Sequence, residues 1–230
     1  MAQTSTTLSG AKSHVENISG SDISFTATSG VYTISSTSTV LTGSGKLALR
    51  DLVTVTGTTN NNSTFTVKEV VSTTEFTVEE VVTTETADGS TSTTLDHTGF
   101  VTDKAKGDGY YSQVDGVHTV AYQVVNLGDS TDDFNGTIKM QGSLATTPTE
   151  DDWFDIYLNG TESFIQYPKD PANPTTVSSG SWRGDSGVDA FTFTGNFTFL
   201  RAKLEREYLG NVNVEQQSSL GVIDKVLLSL

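Results

Sequence analysis

The sequence predicts an all-β chain, on three observations. Apolar residues recur at every second position through most of its length. The polar remainder is mainly Thr, Ser, Gly and Asn, with charged residues at only 18%. No long stretch carries the three-to-four-residue apolar spacing of an amphipathic helix. A β-branched side chain such as Thr suits the wet face of a pleated strand, so a Thr-rich alternation reads as strands with one face buried.

At 230 residues the chain is long enough for one or two domains with a real core. Residues 1–20 are polar, with Gly10 and Gly20 as breakers, and read as an arm or linker. Residues 21–86 read as a small β-barrel or sandwich module. There Ile23, Phe25 and Ala27 alternate with polar neighbours, and Val31-Tyr32-Thr33-Ile34 follows a Ser29-Gly30 turn. Val53 and Val55, Phe65 and Val67, and Phe76 and Val78 then fall at period two. The loop 57–63 is rich in Gly and Asn, which tolerate positive φ. Residues 87–109 are rich in Thr, Ser, Gly and Asp and read as the linker, with Leu95, Phe100 and Val101 docking on a neighbour.

Residues 110–230 read as an antiparallel β-sandwich of jelly-roll type. Its strands are expected over 117–125, 136–144, 153–157, 163–167, 190–194, 197–205, 212–215 and 222–230. Trp153, Phe154, Phe191, Phe193, Phe197 and Phe199 would fill its core. The four prolines, between 148 and 174, punctuate loops. Residues 201–207 contain good helix formers, but Phe199, Arg201 and Lys203 alternate with Leu200, Ala202 and Leu204, so this segment is read as strand.

Charge and composition exclude several functions. The formal net charge is −15, with 4 basic and 10 acidic residues in 1–100 and 9 and 18 in the rest, so the whole surface repels phosphate. Direct nucleic-acid binding is not expected. With no cysteine, neither a disulfide framework nor a thiolate metal site is possible. The first residues lack a basic segment followed by an apolar one, and no apolar run reaches the ~20 residues that span a bilayer. The chain is therefore expected to be made in a cytoplasm, without membrane contact.

Catalytic motifs are missing. His14, His97 and His118 have no metal-ligand spacing, and His118 reads as an ordinary strand position. There is no Gly-x-Ser-x-Gly elbow and no phosphate-cradling loop. Asp129, Asp132 and Asp133, and Glu150, Asp151 and Asp152, form two acidic loops. They could hold Ca²⁺ if brought together, but read more simply as solvated turns. No catalytic, cofactor or metal residue is assigned, and the chain is read as a non-enzyme.

The contact residues expected are aromatic and apolar. Tyr110, Tyr111 and Trp182 lie in Gly-rich polar segments, where an exposed ring can stack on a sugar or anchor an interface. Trp182 could equally fold back over the sandwich. The apolar run Val226, Leu227, Leu228 and Leu230 could lock neighbouring copies together by strand addition.

Two segments carry a resemblance. Gly136-Thr137-Ile138-Lys139-Met140-Gln141-Gly142-Ser143, then Trp153-Phe154-Asp155-Ile156, Gly195-Asn196-Phe197-Thr198-Phe199-Leu200-Arg201-Ala202 and the stretch 221–230, resembles a module of tailed-bacteriophage virion proteins. It is most similar to those of contractile-tailed phages of marine cyanobacteria. Asp51-Leu52-Val53-Thr54-Val55-Thr56-Gly57 with Asn62-Ser63-Thr64-Phe65-Thr66-Val67 is similar to a small module of phage tail proteins, except that Ser63 stands where that pattern has Gly. The resemblance implies a virion structural protein, assembled in the host cytoplasm as a homo-oligomer of the tail, baseplate or fibre. Its partners would be other virion proteins and copies of itself. The alternatives are a capsid decoration protein on the head shell, or an adhesin module that binds a host surface glycan.

Overall fold

A computed structural model describes residues 5–10, 12, 15, 17–112, 116–124, 134, 136–158, 163–167, 187–206 and 223–229. It is all-β and antiparallel, with two short 3-10 turns as the helical elements among the described residues. The chain divides into two compact units. One is Val15–Phe100; the other combines the segment before it with residues 101–230.

The boundaries differ from those expected. The polar arm contains two strands, β1 (Ser5–Ser9) and β2 (Ile18–Gly20), and they belong to different units. The expected linker holds β8 (Thr93–Val101), in which Thr93, Leu95 and His97 are buried and alternate with half-buried Thr94, Asp96 and Thr98. Composition conceals this strand because its buried positions include Thr and His. Leu95 is fully buried in the core of its own unit.

In the first unit β2 is followed by β3 (Ile23–Thr28), β4 (Val31–Ser36), β5 (Asp51–Thr56), β6 (Thr64–Ser72), β7 (Glu75–Val78) and β8. Their spatial order is β2-β8-β5-β6-β7-β4-β3. β6 bends the sheet: Thr64, Phe65 and Thr66 pair with β5, and beyond them the strand pairs with β7 through two register shifts. Such shifts increase local twist, which wraps the apolar face around a core. Ile34, Val53, Val55, Phe65, Val67, Phe76, Val78 and Leu95 meet there, as their period-two spacing requires.

The turns divide into two kinds. Ser29 and Gly30 both have positive φ, 52° and 79°, which closes a two-residue hairpin that matches strand twist. In the 57–63 loop only Gly57 takes positive φ (82°), and a Cβ there would lie 2.3 Å from the Ser92 carbonyl oxygen. The asparagines were expected for backbone freedom, but they act through their side chains. Asn62 Oδ1 accepts from Thr58 N–H (2.9 Å), and Asn61 exchanges hydrogen bonds with the backbone of Thr83 (3.0 and 2.8 Å). The Glu85 carboxylate receives the Thr59 and Asn60 amides and the Asn61 side-chain amide, which lowers its pKa.

The second unit is a sandwich of two sheets. One has the order β1-β16-β10-β14, with β10 (Val117–Val124), β14 (Gly187–Thr194) and β16 (Ile223–Ser229). The other is built on β11 (Gly136–Ser143). β15 (Phe199–Glu205) lies along one side of it, with β12 (Phe154–Asp155) and β13 (Ile165–Tyr167) along the other; β9 (Ala105–Lys106) pairs with β15. The Tyr167 hydroxyl of β13 donates to Asp189 of β14 at 2.7 Å, and Phe197 packs on His118 and Phe193, so the sheets face each other. Val120, Tyr122, Ile138, Met140, Leu200, Leu204, Val226 and Leu228 fill the space between.

The 201–205 segment is strand, as its alternation predicts. The segment expected to be strand over 153–157 shortens to two residues, and Phe154 is 44% exposed instead of core. The strand expected over 212–215 lies outside the described residues.

Two outcomes test this packing. Phe76 is fully buried, so Phe76→Ala is expected to cost about 3–5 kcal/mol in denaturant unfolding. The Asp22 carboxylate accepts from the Ser36, Thr39 and Ser38 hydroxyls and the Ser38 amide at 2.6–2.8 Å, which holds its pKa well below the ordinary range. A depressed carboxylate pKa contributes stability that is complete above the unfolded-state value and lost as pH falls through the folded one. Asp22→Asn is thus expected to lower the melting temperature at pH 7, and that gap is expected to narrow below about pH 4.

Candidate functional site

Among the described residues of the second unit, the outer face of the β11–β15 sheet carries a continuous polar network. β15 alternates, so Leu200, Ala202 and Leu204 point inward while Phe199, Arg201, Lys203 and Glu205 line the other face. β11 aligns Lys139 opposite Lys203 and Gln141 opposite Arg201. Arg201 is only 5% exposed, and a buried guanidinium needs full pairing.

That pairing is present. Arg201 Nη1 and Nη2 donate to the two Glu150 oxygens at 2.8 and 2.7 Å, and Nε donates to Gln141 Oε1 at 2.9 Å. Its guanidinium lies 4.2 Å from the Trp153 ring centroid. Gln141 Nε2 donates to Asp155, and Lys139 meets Asp155 and Glu205 at 3.8 and 2.6 Å. Lys203 closes the row on Glu205 at 2.8 Å. Burial works to raise the Glu205 pKa, but its hydrogen bonds to Lys139 and Lys203 outweigh it, so the net direction is down.

Glu150, expected as part of a solvated acidic loop, is therefore the partner of a buried arginine. Asp152 in the same turn receives the Thr149 amide and hydroxyl at 2.7 and 2.8 Å, which lowers its pKa. Asp129, Asp132 and Asp133 lie outside the described residues. Among the described residues no group of three or more His, Asp or Glu side chains is placed to hold a metal ion.

The expected contact residues separate. Tyr110 and Tyr111 are 44% and 57% exposed, on the 3-10 turn Asp108–Tyr111. Val226 and Leu228 are fully buried and Leu227 is half-buried, because β16 lies between β1 and β10. The strand addition expected of this segment is thus satisfied within the chain. Trp182 and Leu230 lie outside the described residues. Alternation alone cannot tell an edge strand from a central one, so the run read as a sticky end is a core strand.

Sequence reasoning missed Arg201, Gln141, Glu150 and Trp153 as a unit. The available signal was the alternation of Phe199, Arg201 and Lys203, which puts an arginine in mid-strand. His118 is an ordinary buried strand position, with Nε2 3.1 Å from the Gly195 carbonyl oxygen. His97 is also buried, and its Nδ1 accepts from the Val15 amide at 3.1 Å.

Comparison with known proteins finds no protein-family match and no similar curated protein.

Arg201→Lys keeps the charge but loses the bidentate geometry and the planar stack. With Glu150 partly exposed, the cost is expected to be about 1–3 kcal/mol. Urea unfolding of the two proteins side by side measures it.

Proposed function

We propose that this chain is a non-catalytic structural component of a tailed-bacteriophage virion, repeated as a homo-oligomer in the tail, baseplate or fibre. One observation carries the reading beyond resemblance of sequence. Five residues of the resembling segments, Lys139, Gln141, Trp153, Asp155 and Arg201, take part in one polar network, which Glu150, Lys203 and Glu205 from outside those segments complete. A motif with a shared structural task supports a shared module better than scattered matches do. Three of the four resembling segments fall on strands that pair with one another, β12 on β11 and β11 on β15, while 221–230 contributes β16 to the other sheet.

A low-charge Thr and Ser surface suits repeated packing, because little charge has to be desolvated when copies meet. Edge strands rich in small polar residues, such as β1, stay soluble until such packing occurs.

The test is cryo-EM of purified particles, with mass spectrometry to identify the chain. Copies in the tail, baseplate or fibres are the expected result. Copies on the head shell with icosahedral symmetry would replace this reading with that of a decoration protein, and absence from particles would end both.

A further inference from the structure

We infer that β14 is a pairing edge, and that its partner is the β14 strand of a second copy, running antiparallel about a two-fold axis at Phe191. This gives the homo-oligomer proposed above a contact surface, and it rests on that reading for the setting in which copies meet.

An open strand edge offers unpaired N–H and C=O groups to any passing strand, and folds defend their edges by shortening, bulging or covering them. Among the described residues, the other edges of this chain carry such defences. β2, β9, β12 and β13 are two or three residues long. β1 has five residues and a register shift between Thr7 and Ser9. β3 is covered by the 84–87 segment: Phe25 exchanges both backbone hydrogen bonds with Glu85 at 2.8 and 2.9 Å, and the Ala27 amide donates to Thr84 Oγ1 at 3.1 Å.

β14 has none of these. It ends the sheet β1-β16-β10-β14 and matches β10 at eight successive positions without a register shift. The strand contains no Lys, Arg or Pro. Its one charge, Asp189, accepts from the Tyr167 hydroxyl at 2.7 Å and so turns toward the opposite sheet. On the outer face Val188 is 68% exposed, and Ala190, Thr192 and Thr194 are exposed beside it. A long, regular edge of this kind selects a strand as its occupant, because only another extended backbone presents donors and acceptors at the same spacing.

Two features choose a second copy. The first is closure. Two-fold pairing joins two four-stranded sheets into one whose outer edges are both β1, the short and bulged strand, so it removes two open edges and creates no new one. The second is charge. Copies of a chain with net charge −15 repel wherever carboxylates are brought together. A two-fold axis at Phe191 sets Phe191 against its own counterpart, Ala190 against Thr192 and Val188 against Thr194. Asp189 then lies opposite Phe193, so no carboxylate meets another, and the aromatic and β-branched pairs are favourable ones. Faces are preserved as well, since residues directly opposite share a side of the sheet.

The experiment is sedimentation velocity of the full chain from about 1 to 300 µM, where a strand-pair interface of small area is expected to give a dimer with a dissociation constant of about 10–100 µM. Ala190→Lys/Thr192→Lys sets lysine opposite lysine at two places and should weaken the dimer about tenfold or more. Ala190→Glu/Thr192→Glu should do the same, and mixing the two variants should restore dimer by pairing lysine with glutamate. Hydrogen exchange of the unmodified chain gives a reading independent of how the variants fold. Exchange in 187–194 should be slower at the high concentration than at the low one, because the edge amides gain acceptors. A monomer throughout the range, or a dimer whose formation leaves exchange in 187–194 unchanged, would overturn the inference. So would a dimer that the lysine variant retains, or folded variants that do not recover dimer on mixing. Absence of the chain from particles ends the virion reading and leaves the sedimentation result standing, whereas a monomeric chain found in particles ends this inference alone.

Discussion

In the second unit, β16 has both of its edges paired, with Ser5 opposite Ser229 on one side and Val120 opposite Leu228 on the other. The rest of the sandwich depends on this arrangement. An apolar strand with an open edge is a template for aggregation; one bonded on both sides is the middle of a sheet. Val226 and Leu228 can face the core because β1 supplies the missing hydrogen bonds with a strand that buries only Leu8. The constraint has a kinetic side too. The paired strands lie far apart in sequence, with the whole Val15–Phe100 unit between them, so loop closure comes before the contacts that reward it.

The two units solve the problem of polar side chains in different ways. In the first, carboxylates and asparagine amides hold loops: Asp22 gathers the 36–39 turn, and Glu85 with Asn61 gathers the 58–60 turn. In the second, charge is laid along strands, where Arg201 can be nearly buried because a carboxylate, an amide and an indole surround it. Each local solution leaves the hydrophobic faces free to pack, which is why a chain with so much Thr and Ser still closes two cores.

Much of the fold was legible in the sequence because a period of two is a direct record of burial on one face. Val53, Val55, Phe65, Val67, Phe76 and Val78 read correctly for that reason. β8 escaped because Thr93 and His97 occupy buried positions that hydropathy counts as polar, and Phe154 misled because an aromatic residue at a sheet edge looks like core. At the candidate site, the alternation of β15 showed Arg201 in mid-strand but not its partners Glu150 and Trp153, while Tyr110 and Tyr111 were readable as exposed from their glycine-rich setting. The exposed turn is held by backbone approaches at Gly107 and Gly109, and sequence spacing gives no view of those.

The sequence by itself determined the all-β class, the strand identity of 201–205, and the acidic net charge of −15. These are properties of local alternation and of composition, and they survive any arrangement of the strands. Only the tertiary structure decided which strands are central, that β1 and β2 belong to different units, and that Arg201 and Glu150 meet. The physical reason is that edge, partner and burial are relations between distant segments. The same apolar run serves as a sticky end or a core strand according to what lies beside it.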